Sequence, residues 1–413
     1  MRQPSMLLLC QVFHPDQQAT SQLFSDLCVG LVSRGYGCEV LAGFPSDRQY
    51  SACARIEHWQ GVVIRRGGLS LNFKRNTALR ALAYASYSAW IIWRLLFCIS
   101  AKQRVVVVTN PPFAPVLVQL CSLVRGWRYY IALQDVYPDG LVALGLLKKA
   151  CWANQIWRWR VRSALLDAER VIVNGRDMAE RIRFDYCVPA GKIVYAPNWS
   201  PHHGCGIIEP EASRLWRDLG LDGKFVVQYA GNMGLWHDVD TIVRAAHLLR
   251  QQHDVVFLMV GGGMRRAAAE KLSVSLGLRN VIWLPHQPRH ALDDVLSCCQ
   301  AALISLRAGL EGVAVPCKLY GIMAAGRPVI AQVPARSEVA LTVQEEACGI
   351  VVPTGDAQAL ATAIRYLHQD RAAANQMGVR AFGAYIAKYS LQPALEKYDS
   401  ILRQSSEVAA NLS

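Results

Sequence analysis

Short runs of aliphatic and β-branched residues alternate with amphipathic stretches along most of this chain. In the first half they are MLLLCQVF, the helix-like SQLFSDLCVGLVSRG, then CEVLAGF, VVIRR, RVVVVTN, YYIALQD and RVIVNG. After PNWSP the succession starts afresh with KFVVQYAG, the helical DVDTIVRAAHLLRQQ and VVFLMVGGG. VIWLP, AALISL, PVIAQ and GIVVP follow, with further helical patterns interposed. Uncharged strands that alternate with amphipathic helices belong to parallel sheets covered on both faces. Two such successions predict an α/β chain of two doubly wound units, with a boundary near Pro197 to Gly206. Open α/β sheets bind ligands at the carboxyl ends of their strands, so two such domains facing each other would enclose a central cleft. The expected limits are residues 1–198 and 199–385. Residues 386–413, with the helical LQPALEKYDSILRQ, would pack back toward the N-terminal domain.

Composition narrows the class. At 413 residues the chain is too long for one ordinary core. With 52% hydrophobic and 18% charged residues it is globular rather than disordered. The formal charge of +13 calls for an anionic partner: nucleic acid, an acidic membrane surface or a phosphorylated substrate. The 13 cysteines form no CxxC pair, which indicates free thiols in a reducing cytoplasm rather than a disulfide framework or zinc site. The apolar run from Met6 to Leu9 is too short for a signal-peptide core and reads as a first buried strand. Residues 81–101, ALAYASYSAWIIWRLLFCISA, are long enough to span a bilayer. Arg94 lies inside them at a cost of roughly 3 kcal/mol, so a buried or membrane-facing helix is expected instead.

Three segments can carry chemistry. In QYAGNMGLWHDVDTI a strand ends at Tyr229, glycines follow at Gly231 and Gly234, and a helix begins near Asp238. That arrangement aims backbone N–H groups at an anion and lets a diphosphate come close, although a plain tight turn has the same pattern. Asp238 and Asp240 form a DxD, expected to cap the helix rather than hold a metal. VGGGMRRAAAEK places Gly261 to Gly263 in a second turn of this kind; without GxGxxG spacing it does not fit a dinucleotide fold. In EGVAVPCKLYGIMAAGRPVI, Lys318 opens a helix of small residues. A cation there opposes the helix dipole, which is easier to understand if a bound anion lies between them. A solvated surface lysine is the alternative, and Glu311, on the preceding loop, is either a sugar-hydroxyl acceptor or an ordinary loop acid.

Taken together, GNMG after a strand, LISLRAGLEGVAVPCKLYGIMAAGRPVIA and EVALTVQEEACGIVVPTGD resemble family 4 of the retaining nucleotide-sugar glycosyltransferases, with the GT-B two-domain fold. In the N-terminal half, FHPDQQATSQLFSDLCVGLVSRGYGCEVLAG, TNPP, LQDVYPDGLVALGLL and APNWSP are in family-like form and order. The likeness is to bacterial exopolysaccharide, O-antigen and colanic-acid enzymes. It implies two Rossmann-like domains, the C-terminal one holding a nucleotide-diphosphate sugar and the N-terminal one the acceptor. It implies retention of configuration and no cofactor or obligatory metal. Donor-binding residues are expected at Gly231, Asn232, Gly234, Gly262, Glu311, Lys318 and Leu319. The family pattern of two glutamates is broken, since Gly321 stands where the second would be. The GNMG stretch also lacks the family's basic residue; the colanic-acid-type subgroup has a lysine at the position of Lys318, and the resemblance implies that this lysine meets the diphosphate.

On the acceptor side, Asp135 would orient or deprotonate a hydroxyl or else is a structural loop aspartate, Asp16 lies on the same expected rim, and His14 reads as packing. Asp135, Glu311 and Lys318 are the expected catalytic set. From Arg48 to Arg104 the only acid is Glu57 against eight cations, Arg55, Arg65, Arg66, Lys74, Arg75, Arg80, Arg94 and Lys102, and KKACWANQIWRWRVR interleaves tryptophan with lysine and arginine. Such segments suit an anionic inner leaflet and a polyprenyl-linked saccharide acceptor, or else are solvated helix faces. The expectation is a cytoplasmic, peripherally membrane-bound hexosyltransferase-type enzyme with no nucleic-acid partner. The alternatives are a GT-B epimerase or phosphorylase, a nucleic-acid-binding protein, and a non-catalytic scaffold.

Overall fold

A computed structural model describes residues 5–45, 53–69, 77–99, 103–200 and 206–410. The chain divides into two units, the first made of the residues up to Pro197, Gly312–Ala314 and the chain from Leu391. Asn198–Glu311 and Val315–Ser390 make the second.

The first unit is built on eight strands: β1 (Ser5–Leu9), β2 (Gly37–Gly43), β3 (Ile56–Trp59), β4 (Val62–Gly67), β5 (Arg104–Val108), β6 (Tyr129–Leu133), β7 (Arg170–Val173) and β8 (Ile193–Tyr195). Their order is β3-β4-β2-β1-β5-β6-β7-β8, parallel except for β3 against β4. The register sets Leu8 beside Val40 and Val106, which puts the aliphatic runs at the centre of the sheet. The helices are α1 (Ala19–Ser33), α2 (Thr77–Phe97), α3 (Ala114–Arg125), α4 (Asp139–Ala143), α5 (Trp152–Asp167) and α6 (Arg176–Asp185). Order in the sheet reverses between β1 and β5, one neighbour leading back through β2 and the other on through β6. That is the switch point where a doubly wound sheet opens a crevice.

The second unit has six parallel strands: β9 (Phe225–Ala230), β10 (Val255–Val260), β11 (Val281–Leu284), β12 (Ala301–Ser305), β13 (Val329–Gln332) and β14 (Gly349–Val352). They run in the order β11-β10-β9-β12-β13-β14, so the switch point lies between β9 and β12. Helices α7 (Arg214–Asp218), α8 (Val239–Leu248), α9 (Arg266–Ser275), α10 (Leu292–Ser297), α11 (Lys318–Ala324), α12 (Glu338–Glu345), α13 (Ala357–Gln369) and α14 (Arg371–Ala384) cover them. Phe225, Val227, Phe257, Met259 and Leu303 form one buried core with the inner face of α8 and α13.

The last helix, α15 (Leu391–Ala410), belongs to the first unit and packs on α1. Gly30 makes room for it: a Cβ there would lie 2.5 Å from Leu395 Cδ1. The Tyr36 hydroxyl donates to Asp399 at 2.5 Å, and Arg403 Nε donates to the same carboxylate at 2.7 Å.

The sheets follow the predicted α/β class. Two strands depart from the sequence reading. β3 (IEHW) is interrupted by Glu57 and His58, and β8 (IVY), though apolar, is only three residues long and partly buried. The apolar segment expected at 81–101 is α2, beginning four residues earlier. Ala83, Tyr87, Ile91 and Leu95 form its buried face, and the Tyr87 hydroxyl donates to the Leu41 carbonyl at 2.8 Å. Among the described residues no helix is long and apolar enough to cross a membrane.

Candidate active site

Residues at the switch point of the second sheet form the first cluster. β9 ends at Ala230 and the chain turns at Gly231 with φ +124°; β10 ends at Val260 and turns at Gly261 with φ +129°. Both angles favour glycine. A Cβ on Gly261 would fall 2.0 Å from the Gly231 carbonyl oxygen, so the two turns touch through their backbones. Gly231 N–H donates to Val260 O at 2.9 Å and Met233 N–H to Gly262 O at 2.6 Å, bracing one turn on the other. Gly262 faces open space. The Asn232 carbonyl accepts from the Tyr229 hydroxyl at 2.9 Å, and Gly234 sits against the Asn232 amide.

Lys318 is the first residue of α11, and its side chain reaches back to this turn. Its Nζ lies 3.7 Å from the centroid of the Tyr229 ring, and 3.6 Å from where a Cβ on Gly231 would stand. Among the described residues that buried ammonium nitrogen has no hydrogen-bond partner. Burial in these surroundings pushes its pKa down to about 7. The ring face offsets part of that desolvation. The solvated-lysine alternative is therefore incorrect.

Beside it lies His237, which sequence reasoning passed over. Its Nδ1 is 2.6 Å from the Ser305 carbonyl, which fixes the tautomer with Nδ1–H donating. Burial foremost, then the Lys318 charge, holds its pKa down to about 3, so the imidazole is neutral. The only signal in the sequence was a histidine in a turn without lysine or arginine.

The DxD is structural, as its place in the first turn of a helix suggested. Asp238 caps α8, accepting from Thr241 N–H at 3.3 Å and Thr241 Oγ1 at 2.7 Å. It also accepts from Gln332 Nε2 at 2.9 Å, and Asp240 pairs with Arg265 at 2.6 Å. No group of three or more metal-ligating side chains occurs among the described residues. Leu319 is wholly buried, with its N–H bonded to Pro316 O at 3.3 Å. Glu311 is half-buried in the loop between β12 and α11. Gly321 lies within α11, where a Cβ would meet only Leu296 at 3.5 Å and Ser200 at 3.9 Å; a larger residue there would not collide at its first atom.

A second cluster occupies the switch-point end of the first sheet. Asp135 follows β6 and lines a small pocket of about 80 Å³ with Thr20, Tyr84, Thr109, Asn110, Gln134 and Tyr137. Gln134 N–H and Asp135 N–H both donate to Thr109 Oγ1, at 3.1 and 3.3 Å. Val136 N–H donates to Val313 O at 2.8 Å, which fixes the other side of the loop. The Tyr137 ring stacks on Trp157. Burial raises the Asp135 carboxyl to about 6. Asp16 is buried in the turn after β1 and does not line this pocket. His14 stacks on Trp59 with ring centroids 4.0 Å apart, a packing role.

Three cations of the basic segment are paired within the first unit. Arg65 and Arg94 pair with Glu39 at 2.5 and 3.4 Å, and the buried Arg66 pairs with Glu57 at 2.6 Å. These guanidiniums are held by carboxylates of the same unit, whereas Arg55 is exposed. Arg48, Lys74, Arg75 and Lys102, and the side chain of Arg80, lie outside the described residues.

Two family models match this chain in tandem. The glycosyl transferase 4-like domain matches residues 20–199, and the glycosyl transferases group 1 domain residues 216–383. The chain belongs to the family 4-like GT-B glycosyltransferases. Among curated relatives of this glycosyltransferase chain is WbjE of Pseudomonas aeruginosa, named as a glycosyltransferase. It is 27% identical over 62% of this chain and 64% of its own length, a little under two thirds. WcaI of Escherichia coli strain K12, named as a colanic acid biosynthesis glycosyl transferase, is 24% identical over 79% of this chain and 83% of its own. Solved structures agree on the fold. Sucrose-phosphate synthase from Thermosynechococcus elongatus superposes with TM-score 0.75 at 18% identity, over 98% of this chain and 100% of its own. Anabaena HepE, solved with UDP and glucose, superposes with TM-score 0.71 at 14% identity, over 97% and 100%.

Proposed function

We propose that this glycosyltransferase moves a hexose from a nucleoside-diphosphate sugar to a hydroxyl of a polyprenyl-linked saccharide, with retention of configuration, at a membrane surface. The observation that carries the donor half is the Lys318 ammonium, buried beside the Gly231 turn with no hydrogen-bond partner among the described residues. A cation kept dry in the free protein is most readily explained by an anion that arrives with the substrate. UDP bound to the HepE structure and the colanic-acid naming of WcaI support the substrate classes.

As the glycosidic bond breaks, the departing diphosphate gains negative charge. Lys318 and the N–H groups of the Gly231–Gly234 turn stabilise that charge, and do so most in the transition state. Neutral His237 adds no competing charge and holds the turn against Ser305. Asp135, poised near pH 6, takes or orients the acceptor proton. Glu311 meets sugar hydroxyls of the donor.

The test is a thermal-shift screen against UDP, GDP, CDP and dTDP, with wild type and Lys318→Ala, followed by transfer from the matching nucleotide sugar to a polyprenyl-diphosphate saccharide. One nucleotide should raise the melting temperature of wild type alone. No shift from any of the four would remove the donor site.

A further inference from the structure

Helices α2, α3 and α5 lie side by side in one layer of the first unit, α3 packing against both others. Their inner faces are core, but their outer faces are not the polar surfaces such helices normally present to water. Trp93 and Phe97 on α2, Leu123 and Val124 on α3, and Trp152 and Trp159 on α5 are between 53% (Trp93) and 75% (Trp152) exposed. On α2 and α5 the spacing follows one helix side: Leu82, Trp93 and Phe97 lie opposite the buried Ala83–Leu95 face, and Trp152, Ile156 and Trp159 recur at intervals of four and three. Large exposed apolar side chains recurring on neighbouring helices mark an interaction site.

Charge selects the partner. The three helices contain a single carboxylate, Asp167 at the last position of α5. No aspartate or glutamate occurs between His58 and Gln134. Lys148 and Lys149, exposed in the turn before α5, and Arg125, exposed at the end of α3, flank these helices. A second copy seated here would set cation against cation across an apolar contact. An anionic lipid surface accepts both features, tryptophan at the headgroup level and basic residues at its charge.

We infer that the α2–α3–α5 face docks on an anionic phospholipid bilayer, with Trp93, Phe97, Trp152 and Trp159 entering the interface. The inference rests on the reading of a lipid-linked acceptor for its purpose, but its test needs neither donor nor acceptor. The full chain is sedimented with vesicles of phosphatidylcholine, with and without phosphatidylglycerol. Wild type should bind the anionic vesicles and not the neutral ones. Trp152→Glu with Trp159→Glu should weaken partitioning at least about tenfold. Lys148→Ala with Lys149→Ala should weaken it roughly 25-fold, taking about fivefold per charge. Both pairs are exposed, so the core is untouched, and an unchanged UDP-type thermal shift in each variant verifies the fold. Absence of vesicle binding by wild type overturns the inference, as does binding indifferent to both variant pairs. A concentration-dependent dimer abolished by the tryptophan pair, without vesicle binding, overturns it in favour of a second copy. Absence of vesicle binding by wild type with its nucleotide shift intact removes this face and leaves the donor reading standing; vesicle binding by wild type without any nucleotide shift removes the donor reading alone.

Discussion

Replacing Lys318 with methionine should make the protein more stable and unable to respond to nucleotide. In the unfolded chain the lysine titrates near its ordinary value of 10.5, whereas in the folded protein burial brings it to about 7. Below pH 7 both states hold the proton, and the folded state carries the full cost of a desolvated ammonium. Between pH 7 and 10.5 the unfolded state binds more protons than the folded one, so stability climbs with pH. Above 10.5 the lysine is neutral in both and the cost is gone. At 1.36 kcal/mol per unit the full span is about 5 kcal/mol, and at pH 7, with the folded amine half-protonated, about 4 kcal/mol. Contact with the Tyr229 ring offsets part of this cost. Methionine keeps the length and apolar bulk and removes the charge. Scanning calorimetry from pH 6 to 9.5 should show Lys318→Met melting several degrees above wild type at pH 6, the gap closing as pH rises. A bound diphosphate restores the lysine's proton, so wild-type titration in buffers of different ionisation enthalpy should show uptake of close to one proton at pH 8. A variant less stable than wild type at every pH, or one that still responds to the nucleotide, would refute the reasoning.

Three further outcomes follow from the geometry. Asp135→Asn should lower kcat by about 10²-fold or more with the fold intact, and wild-type kcat/KM should fall below about pH 6, where the carboxyl takes up its proton; a flat acid limb speaks against a base at this position. Gly261→Ala forces a Cβ onto the Gly231 carbonyl at φ +129° and should cost about 3 kcal/mol or more in urea unfolding. Gly262→Ala, facing open space, should change stability by less than about 0.5 kcal/mol while weakening nucleotide binding, and equal effects of the two would contradict the braced-turn description. Asp238→Ala removes a cap and the acceptor of the Gln332 amide, a loss of about 1–2 kcal/mol by the same unfolding measurement.

The doubly wound sheets were legible because strands buried on both faces have no choice but continuous apolar sequence. β3, interrupted by Glu57 and His58, and β8, only three residues long, carried no such mark. Lys318 could be singled out because a cation at a helix start contradicts the local electrostatics. Its partners could not: Tyr229 and His237 reach it only because β12 pairs with β9, a neighbourhood that exists in the sheet and nowhere along the chain. The same limit explains the arginines. Arg65 and Arg94 look like loose surface charge until folding brings Glu39 between them. Asp238 was readable as a cap from its own three following residues, since capping is local; its bond to Gln332 was not.

The position of α15 bears on how the protein is made. The surface around Gly30 and Tyr36 that receives Leu395 and Asp399 belongs to the first unit, yet its cover is synthesised only after the second unit. At roughly 5–20 residues per second, the nearly two hundred residues between Pro197 and Leu391 take on the order of ten to forty seconds to synthesise. Through that interval the nascent first unit has a bare apolar groove around Gly30, a place for a chaperone to hold or for a neighbouring chain on the same messenger to lodge its own tail.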